Sequence, residues 1–218
     1  MNRNIDFSEG PVWKCIVSQA IPLTIAQLVQ LLYNIVDRIY LGHMPGDGSL
    51  ALTGVGVCTP IILFVSAFAA LIGSGGAPRA AIAMGQGDKD KAEQILGNCF
   101  SVVMILAVLL TTVFYFSAPT LLRLFGASQA TLPYAVTYAR IYILGSVFVL
   151  VVMGMNTFIT TQGFAQFSML TTVIGAGINI VLDPIFIFGL NMGVAGAALA
   201  TALSRYVELS IVVTWTHM

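Results

Sequence analysis

The sequence predicts an all-α integral membrane protein, a bundle of six transmembrane helices. Three observations carry that prediction. Hydrophobic residues make up 58% of the 218 residues and charged ones only 8%, with a mean hydropathy of +0.94. A soluble domain carries about a quarter charged residues, so this chain lacks the polar surface needed to face water. The apolar residues fall into six runs, each near the about 20 residues that a helix needs to cross a hydrocarbon core. Connections between the runs are short, and none reads as a soluble domain or a long linker.

The first span is expected from about Lys14 to Leu41, behind a Gly10-Pro11 start that suits a helix beginning with proline. Its charge-free stretch from Cys15 to Val36 exceeds a signal-peptide core and ends in Asp-Arg rather than a small-residue cleavage site, so it is expected to remain. The second span is expected from about Leu50 to Ala77, and the third from Leu96 to Ala118. Between them the polar segment Arg79–Gln94 reads as a solvated loop, with Asp90 and Glu93 as a capping pair at a helix start. The fourth span is expected from Ile141 to Thr161 and the fifth from Ser168 to Leu190, divided at Thr160-Thr161-Gln162-Gly163. The sixth is expected from Gly193 to Trp215. It opens with small residues in rows, Gly193, Ala197, Thr201 and Gly196, Ala200, Ser204, which would let it pack closely against the fifth span. Lower in that span, Arg205 and Glu208 stand three apart and can pair.

Nine basic residues balance nine acidic ones, which argues against a nucleic-acid partner. Cys15, Cys58 and Cys99 form no CxxC pair and read as free thiols acting as small hydrophobes. His43 and His217 have no metal-ligand spacing. Arg3, Lys14, Arg79, Lys89 and Lys91 fall on one side of the membrane, against Arg38, Arg123 and Arg140 on the other. By the positive-inside rule both termini are expected to be cytoplasmic.

A charge at the centre of a bilayer costs on the order of 3 kcal/mol, so it persists where it faces a bundle interior or a wet cavity. Asp183 in the fifth span and Asp37 near the end of the first fit that description. Asn179 precedes Asp183 by four residues, on the same helix face. Pro184 cannot donate a backbone hydrogen bond, frees the carbonyl of Ile180 and should bend the helix beside the acid. At about 1.5 Å per residue, Asp183 lies roughly 10 Å, Thr201 about 12 Å and Asp37 about 6 Å from the same membrane end. These groups are therefore expected to share one polar chamber. Such carboxylates can exchange protons, or can hold a sodium ion together with the Asn179 and Thr201 oxygens.

Four stretches carry a family likeness: "IPLTIAQLVQLLYNIVDRIYLGH" in the first span, "ALTGVG" in the second, "NIVLDP" in the fifth and "GVAGAALAT" in the sixth. In that order and spacing the chain resembles the N-terminal half, one six-helix lobe, of the multidrug and toxic compound extrusion (MATE) transporters. The resemblance implies an antiporter of the cell membrane that exports amphipathic or cationic drugs against protons or sodium ions, with no other cofactor and no enzymatic activity. It implies a cation-coupling network of Asp37, Asn179, Asp183 and Thr201, and a substrate chamber lined by Gln30, Tyr33 and Asn156. It also implies helix bending at Pro22, beside that expected at Pro184. Members of the family have two lobes, so residues 1–218 are expected to form the N-terminal lobe and to need an absent C-terminal lobe or a second copy as partner. Three other readings stand beside this one. A flippase for lipid-linked sugars from the same superfamily would favour several basic residues in the cavity, for which Arg140 and Arg205 are the candidates. A membrane-embedded enzyme would need a nucleophile and base at membrane depth, which neither histidine supplies. The remaining reading is a fragment that folds without transporting.

Overall fold

The computed structural model describes residues 11–216; Arg3, Gly10 and His217 lie outside them. The described residues form seven α-helices and one π-helical turn. They are α1 (Val12–Gly42), α2 (Gly48–Val57), α3 (Thr59–Gly85), α4 (Lys89–Leu124), α5 (Leu132–Thr161), α6 (Ala165–Pro184) and α7 (Val194–Thr216), with the π turn at Ile185–Gly189 between α6 and α7. Taken with α2 and α3 as one segment, and with the π turn continuing α6, they make six spans long and apolar enough to cross a membrane.

Several helices run beyond the apolar stretches that announce them. The second span is broken at Cys58, where Pro60 sits in the first turn of α3, a position where its missing N–H costs nothing. From there α3 continues through Arg79 to Gly85, and α4 begins at Lys89, so all of the expected loop but residues 86–88 is helix. The true turn is three residues, 86–88, with Gly87 at φ +79°. Asp88, not Asp90, caps α4, its side chain accepting from the Lys91 N–H at 3.1 Å. Helices α4 and α5 start earlier than the hydropathy suggests, at Lys89 and Leu132. An apolar run reports the part of a helix in lipid, whereas capping and backbone hydrogen bonds carry the helix on into the polar interface. The division between α5 and α6 falls where the glycine allows it. Gly163 adopts φ +92°, and the Phe164 N–H returns to the Ile159 carbonyl at 3.2 Å, closing α5.

Helix α5 is the most buried span and α1 the least. One apolar cluster joins α5 to the end of α1, α2, the C-terminal part of α4 and the start of α7, around Leu41, Leu122, Ile143 and Ala197. A second joins α5 to α3, the N-terminal part of α4 and the far end of α7, around Val65, Val103, Leu150 and Val212. Helix α7 packs on the fifth span, as its small residues predict, and more extensively still on α5. Both contacts depend on absent side chains. A Cβ at Gly145 of α5 would stand 2.8 Å from Ala202 Cβ, and one at Gly196 would stand 2.8 Å from the Phe186 backbone. Many of the remaining large apolar side chains, such as Leu63, Ile105, Phe116 and Leu144, point outward, as a lipid-facing surface requires.

Candidate functional site

Three helices deliver the polar groups. Asp37 comes from the last turns of α1, Asn179 and Asp183 from the end of α6, and Thr201 from the second turn of α7. Helices α1 and α6 pack along one another, and the two carboxylates are close enough to interact electrostatically. Asn179 Nδ2 donates to Thr201 Oγ1 at 3.5 Å, and that hydroxyl in turn donates to the Ala197 carbonyl at 3.0 Å. The four expected residues are thus brought together.

Their burial is severe. Asp183 is 0% exposed, Asn179 1% and Asp37 8%. Asp37 Oδ1, Asn179 Oδ1 and both oxygens of Asp183 find no hydrogen-bond donor among the described residues. Buried carboxylate oxygens are normally satisfied, because leaving one bare forfeits its hydration with nothing in return. The arrangement therefore demands a proton, a cation or water.

The chamber differs from the expected one in two respects. Asp37 and Thr201 line a cavity of about 490 Å³, together with Gln30, Tyr33, Tyr138, Tyr142 and Arg205. Asn179 and Asp183 are absent from its lining and lie behind that wall. Asn156 opens on a separate cavity of about 300 Å³, whose lining includes Gln27, Gln30, Thr160, Arg205 and Glu208. Gln30, Met153 and Arg205 border both spaces. The expected single chamber is thus divided, with Tyr33 on one side and Asn156 on the other.

The divider went unrecognised in the sequence beyond its helical spacing. Arg205 Nη1 meets Glu208 Oε2 at 2.7 Å, and Arg205 Nη2 donates to the Tyr33 hydroxyl at 2.8 Å. The guanidinium also lies 5.7 Å from the centre of the Tyr33 ring. The Arg205–Glu208 pairing was legible from its spacing. The contact with Tyr33 joins residues 172 positions apart, and no local pattern announces it. Asn156 is held in place by Thr171, to whose Oγ1 its Nδ2 donates at 3.2 Å.

Pro22 lies buried inside α1, which is one continuous helix from Val12 to Gly42. Pro184 ends α6, and the Leu190 N–H bonds the Ile185 carbonyl at 2.8 Å, the wider ring of a π turn. Among the described residues no group of three or more His, Cys, Asp or Glu side chains gathers as a metal centre would require. The three cysteines are free. Cys58 lies within reach of the Gly54 and Ala135 carbonyls at 3.4 and 3.3 Å.

Comparison with known proteins places this geometry. The MatE family model matches residues 22–185. The multidrug export protein MepA of Staphylococcus haemolyticus is 29% identical over 199 residues, covering 91% of this chain and 44% of that protein. A solved MOP superfamily transporter from Pyrococcus furiosus, described as having a binding pocket of reversed polarity, is 32% identical. It superposes with a TM-score of 0.91 over 99% of this chain and 47% of its own. A crystal structure of MATE in the bent conformation is 35% identical, with a TM-score of 0.87 over 94% of this chain and 45% of that one. The chain spans about half the length of the relatives it matches.

Proposed function

Because the chain belongs to the MatE family, we propose that it forms one lobe of a multidrug exporter driven by protons or sodium ions. The observation that carries the coupling is the cluster of four buried oxygens without donors on Asp37, Asn179 and Asp183. A transporter needs a site whose occupant comes and goes, and an acid cluster left unsatisfied by its own protein is such a site. Thr201 and Asn179 fix the geometry, while Asp37 reaches the larger cavity and Asp183 lies behind it. An ion arriving at Asp37 would bind α1 and α6 together, which links occupancy to the packing of the least buried helix.

In this reading the passenger is an amphipathic or cationic drug, and Gln30, Tyr33 and Asn156 contribute to its chamber. The lobe would sit in the cell membrane with both ends cytoplasmic, and would work against a second lobe, from further chain or from a second copy, as paired repeats do. Pro22 would give α1 a place to bend, and Pro184 with its π turn would let the end of α6 adjust. A transporter of this kind makes and breaks no covalent bonds, so no enzymatic activity is proposed. Sugar-lipid flipping is less favoured, because Arg205 is already occupied by Glu208 and Tyr33, and Arg140 lies over the Tyr115 ring, 5.4 Å from its centre.

The test is infrared difference spectroscopy of the chain in lipid nanodiscs, with Asp183→Asn assigning the carboxyl band. A band that changes on adding sodium, or on a pH step, and vanishes in the variant supports the reading. A carboxyl indifferent to both would refute it.

A further inference from the structure

Helices α3 and α4 meet at the turn 86–88 and run back side by side, so each charge near the turn belongs to one face of the pair. The charges sort unevenly. Lys89 and Glu93 line a cavity of about 340 Å³ on the side of α5, together with Phe158 and Gln162. Asp88 is occupied as the cap of α4, its carboxylate accepting from the Lys91 N–H at 3.1 Å. Arg79 and Lys91 turn to a different face, where with Ile82, Ala83, Gln86 and Ile95 they line a groove of about 350 Å³. The spacings i, i+3, i+4 and i+7 on α3 and i, i+4 on α4 make that groove a single strip on each helix. It opens outward, with Ile82 60% exposed. No carboxylate lines it, and among the described residues the one ion pair is that of Arg205 with Glu208, on the far side of the bundle's interior.

Two cations on a lipid-facing strip need a counter-charge from outside the protein. Arg79 stands about 10 Å along α3 from Gln86, deep enough to be costly if its charge stayed level with its backbone. Its long side chain can follow the apolar wall and carry the guanidinium up to Lys91, at the depth where lipid phosphates lie. Basic pockets between transmembrane helices at the membrane surface suit anionic headgroups for this reason. We propose that the groove holds an anionic phospholipid, its phosphodiester between Arg79 and Lys91 and the start of an acyl chain against Ile82 and Ile95. A guanidinium can grip two phosphate oxygens at once, while the ammonium adds a point charge. The Gln86 amide lies at the rim, where a headgroup hydroxyl would meet it. A free phosphate would gain the two charges but nothing from the isoleucines, so the lipid is the fitting occupant. The leaflet is that of the 86–88 turn, the cytoplasmic one in the orientation proposed above. The site lies outside both inner cavities and does not depend on which passenger or ion the lobe carries.

The test is native mass spectrometry of the chain from micelles holding equal amounts of dioleoyl phosphatidylglycerol and dioleoyl phosphatidylcholine. The two lipids share their acyl chains and phosphate and differ in net charge. Phosphatidylglycerol should be retained in preference, by about twentyfold if each cation contributes about fivefold. Arg79→Gln and Lys91→Gln should each lower that preference about fivefold and together abolish it, whereas Arg79→Lys should keep most of it. Lys89→Gln removes a charge from the same turn but from the other face, so it should leave the preference unchanged. An equal loss in Lys89→Gln would mean a diffuse surface field with no site, and would overturn the proposal. Inorganic phosphate should displace the lipid no better than chloride at the same ionic strength; better displacement would make this a free-anion site and overturn the lipid assignment. In phosphatidylcholine alone, Arg79→Gln and Lys91→Gln should unfold at the temperature of the parent chain, because neither residue has a protein partner to lose. A lower unfolding temperature there would make the two cations structural and equally overturn the proposal.

Discussion

Asp183 is a carboxylate that no described donor reaches, on a helix face where Asn179 is its nearest polar companion by spacing. Keeping the shape and removing the charge is therefore the informative change. Asp183→Asn should leave the fold intact and abolish sodium- or proton-dependent efflux when introduced into a two-lobed version of the protein. Retained ion-dependent efflux in that assay would remove Asp183 from the coupling role. Glycines test packing at the same scale with opposite expected signs. Gly145→Ala gains helix propensity but drives a Cβ to 2.8 Å from that of Ala202, so it should destabilise the chain by about 1–3 kcal/mol net of that gain. Gly177→Ala meets nothing within 4 Å and should be neutral or stabilising by up to about 1 kcal/mol. Unfolding in mixed micelles compares the two directly, and equal effects would show that α5 and α7 are less tightly apposed than described.

Among the elements, the end of α6 carries the sharpest expectation. Pro184 supplies no N–H to the Ile180 carbonyl, and five residues of π turn follow it. Pro184→Ala should restore the α-helical bond and draw Ile185–Gly189 into regular helix, turning Phe186 against Gly196, where backbone already approaches closely. Losing one inserted residue rotates the following chain by about 100° and shifts it by about 1.5 Å. Spin labels at Leu190 and Leu203 should therefore report an altered distance distribution, and an unchanged one would assign the π turn to the loop rather than to the proline. The elements also show what sequence can disclose. Apolar run length revealed all six spans, and Gly163 announced the turn after α5. Where a helix runs past the lipid, as α4 does from Lys89, hydropathy falls silent and only the Asp88 cap marks its start. The polar cluster was legible because Asp37, Asn179, Asp183 and Thr201 are costly in oil wherever they stand. Its division into two cavities was not, because the dividing contact joins α7 to α1 through Arg205 and Tyr33, across most of the chain.

At the scale of the whole molecule, α5 forms the centre and α1 the periphery, so the lobe is not equally firm throughout. Helix α1 buries only Pro22, Ala26, Asp37 and Leu41, and it leans chiefly on α6. One of its polar attachments is the contact from Arg205 to Tyr33, whereas Asp37 brings a like charge into electrostatic reach of Asp183. A cation held between the two aspartates would neutralise their charge and add a bond between α6 and α1, the least buried span. Anything that binds the folded state alone raises its stability, by about 2.7 kcal/mol at a hundred times its dissociation constant. Thermal unfolding in nanodiscs should accordingly rise with sodium over an equal concentration of choline if sodium is the ion. It should rise on mild acidification, and not with sodium, if the ion is the proton. Either rise should disappear in Asp183→Asn, and either should be accompanied by reduced mobility of spin labels on α1 near Ile35 with little change on α5. A stability that responds equally to sodium and choline, and equally in the variant, would separate the acid cluster from the motion of α1 and leave the lobe without an ion to drive it.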